Sequence, residues 1–390
     1  MSTLLSRVLV LLILVASAVT VPVALAAPPA VLPLVVANES GRGEAVHLYL
    51  TGVNTQTGRL GYVNAAGVFT PWPSGSIPPS PAPDTAIPGP ARGASTTLRV
   101  PLHFSGRMYM SFGAKLRFFL TPTGLVEPAP WAPGDANRDI LFDWSEFTYN
   151  TSGLWLNSSQ VDMFAVPHSV AVTSASGQVK RTGVLVPGGR QRIFDAIRAA
   201  GWSSLVHTRS DGLTLRAVAP RKGIELGQFP ASYFAPYVDA VWSAYGSKDL
   251  VVAPFQHNPS VRFTGRVEGG VLHFRDASGA RVASFGKPPS KDIFGCDGVL
   301  HAPNDAVVGP IARSLCADLN RSTLGYHATS PVWDAVHYYT RSITNHYSKA
   351  MHANMVDGRA YGFAFDDVGG HESLVHDPDP RSARIALTGF

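Results

Sequence analysis

The sequence predicts a mainly β fold with α+β character: a β-barrel or sandwich domain beside a mixed α/β domain, or one sheet assembly with helical insertions. Three observations carry that expectation. Short runs of alternating apolar and polar residues fill the first half, as strands with one buried face require. The chain holds 37 Gly and 31 Pro but only 15% charged residues, a composition that favours turns and β structure over long helices. From Gly189 onward, stretches with helical spacing alternate with short strand-like runs. At 390 residues the chain also exceeds the roughly 250–300 at which one core stops growing. A cleft between two such lobes is a natural ligand site.

Taken in order, Met1 to Ala27 has one basic residue, Arg7, an apolar run from Val8 to Val19, and Ala24-Leu25-Ala26. That pattern fits a secretory signal peptide cleaved near Ala26, and the apolar run is short of the roughly 20 residues a spanning helix needs. The mature protein is therefore expected outside the cell, not in a membrane. In that oxidising setting Cys296 and Cys316, the only cysteines in the chain, most simply pair with each other. Two free thiols or a metal pair are the alternatives, and two sulfurs without a His cluster make a poor zinc site.

Val31 to Tyr62 supplies the first strands, and Thr70 to Ser95 is too Pro-rich for a helix or a central strand. Thr97 to Leu120 alternates on both sides of Ser105-Gly106, as a pair of strands would. A second Pro-rich loop, Thr121 to Asp139, precedes two aromatic-rich alternating segments between Phe142 and Val166. Val170 to Val186 adds further strands. Helices are expected at Arg190 to Ala200, Pro230 to Tyr245, Asp305 to Asn320 and Pro331 to Met351, the last from the stripe Val332, Val336, Tyr339 and Ile343. Leu213 to Val218 and three runs within Val261 to Phe285 read as strands, as does Ala360 to Val368. The predicted organisation is a leader at 1–27, a β-rich domain at 28–188 to which strands of 352–390 return, and a mixed α/β domain at 189–351.

Glu146 and Asp162 are the candidate catalytic residues. Cleaving a glycosidic bond takes one carboxylic acid to protonate the leaving oxygen and a second carboxylate to activate water or attack the anomeric carbon. Side chains alternate along a strand, so Glu146 shares a face with Phe142, Trp144 and Thr148. If the two segments form a hairpin turning near Ser152 to Leu154, paired residue numbers sum to about 308 and Glu146 faces Asp162. The bland alternative is a pair of acids on an exposed sheet face.

The run FDWSEFTYN followed by LWLNSSQVDMFAVP resembles the signature of glycoside hydrolase family 64, the β-1,3-glucanases that release laminaripentaose. SGRMYMS around Arg107, NRSTL at Asn320 and YGFAFDDV near the end agree with it, in order, over roughly Leu32 to Leu387. The resemblance implies a thaumatin-like β-barrel or sandwich domain and a mixed α/β domain enclosing a wide groove. It implies Glu146 as general acid and Asp162 as general base of an inverting mechanism, with no metal and no cofactor. It also implies that Thr148, Asn150 and Trp155 bind sugar, and that Asp366 and Asp367 belong to a groove wall. The expected partner is β-1,3-glucan, such as laminarin, curdlan or fungal wall glucan, and the expected state a monomer. Ala165, Gly362 and Ala364 depart from residues frequent in the family.

Other functions find less support. The net charge of +5 is spread without a basic tract, so nucleic acid is not an expected partner. His346 and His352 lack the spacing and companion Glu of a zinc protease, and no G-x-S-x-G element marks a serine hydrolase. The rivals are a non-catalytic β-glucan-binding or antifungal thaumatin-like wall protein and a retaining glycosidase.

Overall fold

A computed structural model describes residues 28–390; the expected leader at 1–27 lies outside the described residues. The first architectural unit is a sandwich of two sheets. One is five-stranded, in the order Val179–Thr182, His168–Ser174, Pro380–Leu387, Val31–Asn38, Ser95–Pro101. The other is eight-stranded and runs from Leu374–Asp377 through Gly153–Ser158, Leu141–Asn150, Phe104–Phe112, Val46–Asn54 and Arg59–Val63 to Phe69–Pro71, with Ile87–Pro88 beside Val46–Asn54.

Leu34, Val36, Leu98, Val172 and Ile385 of the first sheet share one core with Leu48, Met108, Phe147 and Leu156 of the second. Facing apolar strand faces of this kind bury each other and leave the outer faces for other uses. Both strand orders are open-ended among the described residues, so the sandwich is realised and a closed barrel is not. The chain's end closes the sandwich: Pro380–Leu387 lies parallel to Val31–Asn38 and antiparallel to His168–Ser174.

The second core gathers the helices Gly189–Ala199, Ala235–Tyr245 and Val308–Arg321 around a second five-stranded sheet that includes Phe263–Glu268, Val271–Arg275 and Arg281–Phe285. Ile193, Phe194 and Ile197 are fully buried, as their helical spacing requires. Cys316 of the Val308–Arg321 helix forms a disulfide with Cys296, the residue that ends the short Ser290–Gly295 helix; their Cα atoms are 5.6 Å apart.

Several local expectations fail for identifiable reasons. The two strands within Thr97 to Leu120 do not pair; the chain turns at Leu102-His103, and each strand joins a different sheet. Alternation marks a half-buried face but does not name the neighbour. The helix expected from Pro230 starts at Ala235, with Pro236 in its first turn where a missing N–H costs nothing. The long helix expected at Pro331 to Met351 is only a single tight turn at Ala335–His337 and the helix His346–His352.

Tyr339 explains the break in that helix. Its N–H is donated to the Arg321 carbonyl at 3.0 Å and its φ is +57°, a left-handed conformation that no helix continues through. Val336 of the expected apolar stripe is 69% exposed. Ala360 to Val368 is a series of turns rather than a strand, because the Asp366 carboxylate accepts the Gly362 N–H at 3.0 Å and curls the backbone around itself.

Candidate active site

The site begins with how the Leu141–Asn150 strand divides its two faces. Phe147 and Tyr149 point into the sandwich core. Phe142 and Trp144, on the other face, are covered by an aromatic cluster with Tyr49, Tyr109 and Phe118. That cover ends at Glu146, so Glu146, Thr148 and Asn150 stand half-buried on the open remainder of the face.

The hairpin register differs from expectation by more than a pair. Glu146 faces Asn157 and Thr148 faces Trp155, so the paired numbers sum to less than the sequence argument assumed, and the turn is a tight one before Gly153. Asp162 is therefore not a cross-strand partner of Glu146. It lies beyond the end of the Gly153–Ser158 strand, in the bend before Met163–Phe164, which pairs with Val218 and Ala217 of another sheet.

The two acids are nevertheless brought together by a third residue. Arg107, on the Phe104–Phe112 strand, sits directly opposite Glu146 on its other side. Its Nη2 lies 3.1 Å from Glu146 Oε1 and 3.7 Å from Asp162 Oδ2. Two oxygens so placed around one nitrogen are at most about 7 Å apart, a bound that takes in the roughly 5–5.5 Å of a retaining pair and only the low end of the roughly 6.5–9.5 Å of an inverting one. Arg107 Nε also donates to Glu146 Oε1 at 3.2 Å, and Nη1 is 2.9 Å from Glu127.

The guanidinium lies over the Trp144 ring, 4.8 Å from its centre. Burial pulls the Arg107 pKa down, but the charges of Tyr109, Glu127 and Glu146 outweigh it and hold the group well above the ordinary arginine range. A second cation, Lys222, is 3.3 Å from Asp162 Oδ1 and 4.6 Å from the centre of the Trp131 ring. The side chains of Glu146 and Asp162 are 33% and 22% exposed, accessible to a ligand yet held in place.

Asp143 ties the segment carrying one acid to the strand carrying the other. It is fully buried, three residues before Glu146, and its Oδ2 accepts the N–H groups of Ala165 and Val166 at 2.8 and 3.0 Å. Its Oδ1 accepts from Trp144 N–H at 3.0 Å. Burial outweighs the three N–H donors and the Arg216 charge and pushes this carboxyl up to about 7. The Asp162 carbonyl accepts the Ala219 N–H at 2.9 Å, so the backbone around Asp162 is held on both sides.

The remaining expected residues divide. Thr148 stands beside Glu146 on the open face, its hydroxyl 2.7 Å from that of Ser105. Trp155 is half-buried and stacks on His376, ring centres 4.2 Å apart. The Asn150 side chain accepts the Ser152 N–H at 2.8 Å and shapes the turn. Asp366 cannot line a groove wall: its side chain is 0% exposed, 3.0 Å from Arg321 and 2.9 Å from His352. A carboxylate enclosed by two cationic partners serves to lock the turns it sits in. Asp367 is exposed instead, beside Pro254, Phe255 and Arg313 in a cleft of about 220 Å³.

Sequence reasoning missed Arg107, Lys222, Glu127 and Asp143 as parts of this site. Arg107 and Asp143 lay within SGRMYMS and FDWSEFTYN, runs that carried the resemblance, but neither run says what the arginine or the aspartate meets. Away from these contacts, burial and then the charge of Asp367 push Glu372 up to about 7.

The family model for β-1,3-glucanases matches residues 30–387. The chain belongs to glycoside hydrolase family 64. It is 46% identical over 366 residues to a glucan endo-1,3-β-glucosidase of Cellulosimicrobium cellulans, and 45% over the same length to one of Arthrobacter sp. (strain YCWD3). Those alignments cover 93% of this chain, which spans 66% of the length of each relative. A laminaripentaose-producing β-1,3-glucanase solved in complex with laminaritetraose superimposes with a TM-score of 0.90 at 52% identity, covering 93% of this chain and 99% of that one. A family 64 domain from Clostridium beijerinckii shares the fold at 23% identity, with a TM-score of 0.77 and coverage of 93% of this chain and 100% of that one. The family 64 chain thus shares its mainly β, two-core architecture with solved members.

Proposed function

We propose that this chain is a secreted, endo-acting β-1,3-glucanase that works by inversion and releases short oligosaccharides such as laminaripentaose. The observation that carries the reading is the convergence of Glu146 and Asp162 on one guanidinium, on an open sheet face, in a family 64 chain. Glu146 protonates the glycosidic oxygen as the bond lengthens, and Asp162 takes the proton of a water attacking the anomeric carbon from the opposite side. Asp162 stands between Arg107 and Lys222, whose charges attract the hydroxide-like water as it forms. Thr148 and Trp155 offer a hydroxyl and an aromatic face to the sugar.

The division into a β-rich domain at 28–188, rejoined by strands of 352–390, and a mixed domain at 189–351 is supported by the two cores, with Met355, Ala360 and Phe363 packing in the second before the chain returns to the sandwich. Glu146→Gln and Asp162→Asn test the assignment. Each is expected to lower laminarin and curdlan hydrolysis by about 10²–10⁴-fold while the protein stays folded. Near-wild-type activity in either variant refutes the roles. Anomer-resolved NMR of the first products reads the stereochemistry: an inverted product supports Asp162 as base, and a retained one makes it the nucleophile. Pull-down on curdlan without sugar release would favour a glucan-binding protein instead.

A further inference from the structure

The sheet that carries Glu146 continues past it, beyond a buried Thr51. Hydrogen-bonded register places Tyr62 opposite Thr51, Thr51 opposite Arg107 and Arg107 opposite Glu146. Directly opposed residues in a sheet point to the same side, so Tyr62 stands on the face of Glu146, three strands away or about 14 Å at the usual strand spacing. The Tyr62 ring packs against Trp72, ring centres 4.7 Å apart, and both side chains are only half-buried.

Two clefts meet there. One of about 360 Å³ is lined by Gly52, Leu60, Trp72, Leu125 and Glu127. Its neighbour, of about 300 Å³, shares Leu60 and Trp72 and extends over Pro71 and Ser74. Glu127, in the wall of the first, is the carboxylate bonded to Arg107, which in turn reaches Glu146 and Asp162.

We infer that Trp72 and Tyr62, with Glu127, form a distal subsite that binds a glucosyl unit of β-1,3-glucan several residues from the scissile bond. The inference rests on the glucanase reading above. A pyranose presents a face of C–H groups that packs on an aromatic ring, while its hydroxyls need polar partners at the rim. The trough supplies both: the indole as a platform and the Glu127 carboxylate as an acceptor. Leu60, 45% exposed on the same floor, adds apolar surface that a sugar would cover.

The test compares Trp72→Ala and Trp72→Phe with wild type on laminari-oligosaccharides from laminaritriose to laminariheptaose, with melting temperatures recorded for each protein. Trp72→Ala is expected to lower kcat/KM about ten-fold more on laminariheptaose than on laminaritriose, and Trp72→Phe to recover most of that difference. A loss independent of chain length, or no loss, overturns the subsite. If wild type cleaves none of these sugars, the glucanase reading has failed. Calorimetric titration with laminarihexaose then decides the subsite: affinity weakened by Trp72→Ala supports it, and unchanged affinity or no binding to wild type overturns it.

Discussion

Replacing Asp143 with Asn tests whether the active-site geometry depends on the tether between the two acid-bearing segments. The substitution keeps the shape and exchanges one carboxylate oxygen for an NH₂ group. In its better orientation the Asn oxygen still accepts from Ala165 and Val166, and its NH₂ then faces the Trp144 N–H, donor against donor. Above about pH 7, where Asp143 is ionised, a buried donor left unsatisfied costs about 1–3 kcal/mol, and two charge-assisted bonds weakened to neutral ones cost about 1 kcal/mol each. Relief of the buried charge offsets part of this, leaving a destabilisation of about 2–4 kcal/mol.

Ala165 lies three residues past Asp162, so a loosened tether moves the base as well as softening the fold. A displacement of about 1 Å is enough for a hundred-fold loss in rate. Thermal melting and laminarin hydrolysis well below the melting temperature measure the two effects separately. The expected result is a melting temperature lower by several degrees, kcat reduced about ten- to hundred-fold, and KM little changed. Wild-type melting with wild-type kcat refutes the tether. A stability loss with full kcat confines Asp143 to the fold.

Two further outcomes follow from the charges around the site. Arg107→Met removes the one group among the described residues that reaches Glu146, Asp162 and Glu127 together, and is expected to lower kcat at least ten-fold; Arg107→Lys restores part of it, because its compact charge reaches fewer partners than the planar fork. A wild-type kcat in Arg107→Met contradicts that role. Glu372, pushed up to about 7 in the folded protein, binds its proton more tightly folded than unfolded, so it lowers stability progressively as pH rises from about 4.5 through 7. Glu372→Gln is therefore expected to melt at least as high as wild type near pH 8 relative to their gap near pH 4, with a gain of about 1–3 kcal/mol at the higher pH. Equal differences between the two proteins at both pH values contradict the shift.

Much of this molecule was legible in local sequence. The alternation around Glu146 marked a half-buried strand, and the helical spacing of Ile193 and Ile197 marked a buried helix face, though Ala200, read with them, is only half-buried; both are local consequences of how side chains repeat along an element. The residues of Phe142 to Val166 also carried enough of a family's pattern to name the acid pair. What alternation could not reveal was partnership. It is the same whether the strand after Thr97 pairs with its successor or crosses to another sheet, and the chain crosses.

Helical spacing was equally blind to the Arg321 carbonyl that draws Tyr339 out of the expected helix, because that contact arises only once distant segments pack. Asp366 read as a groove residue and is instead enclosed by Arg321 and His352, which the sequence places far before it.

The sequence by itself determined the class of fold and the family, named the acids proposed for catalysis, and offered the pairing of its two cysteines that the structure holds. Tertiary structure alone decided how the acids meet. Glu146 and Asp162 are not facing partners across a hairpin; they converge because Arg107, from a third strand, lies within reach of both while Asp143 holds the Asp162 segment against the strand of Glu146. Electrostatic contacts of this kind depend on distances through space, and a sequence specifies those only after the sheets have formed.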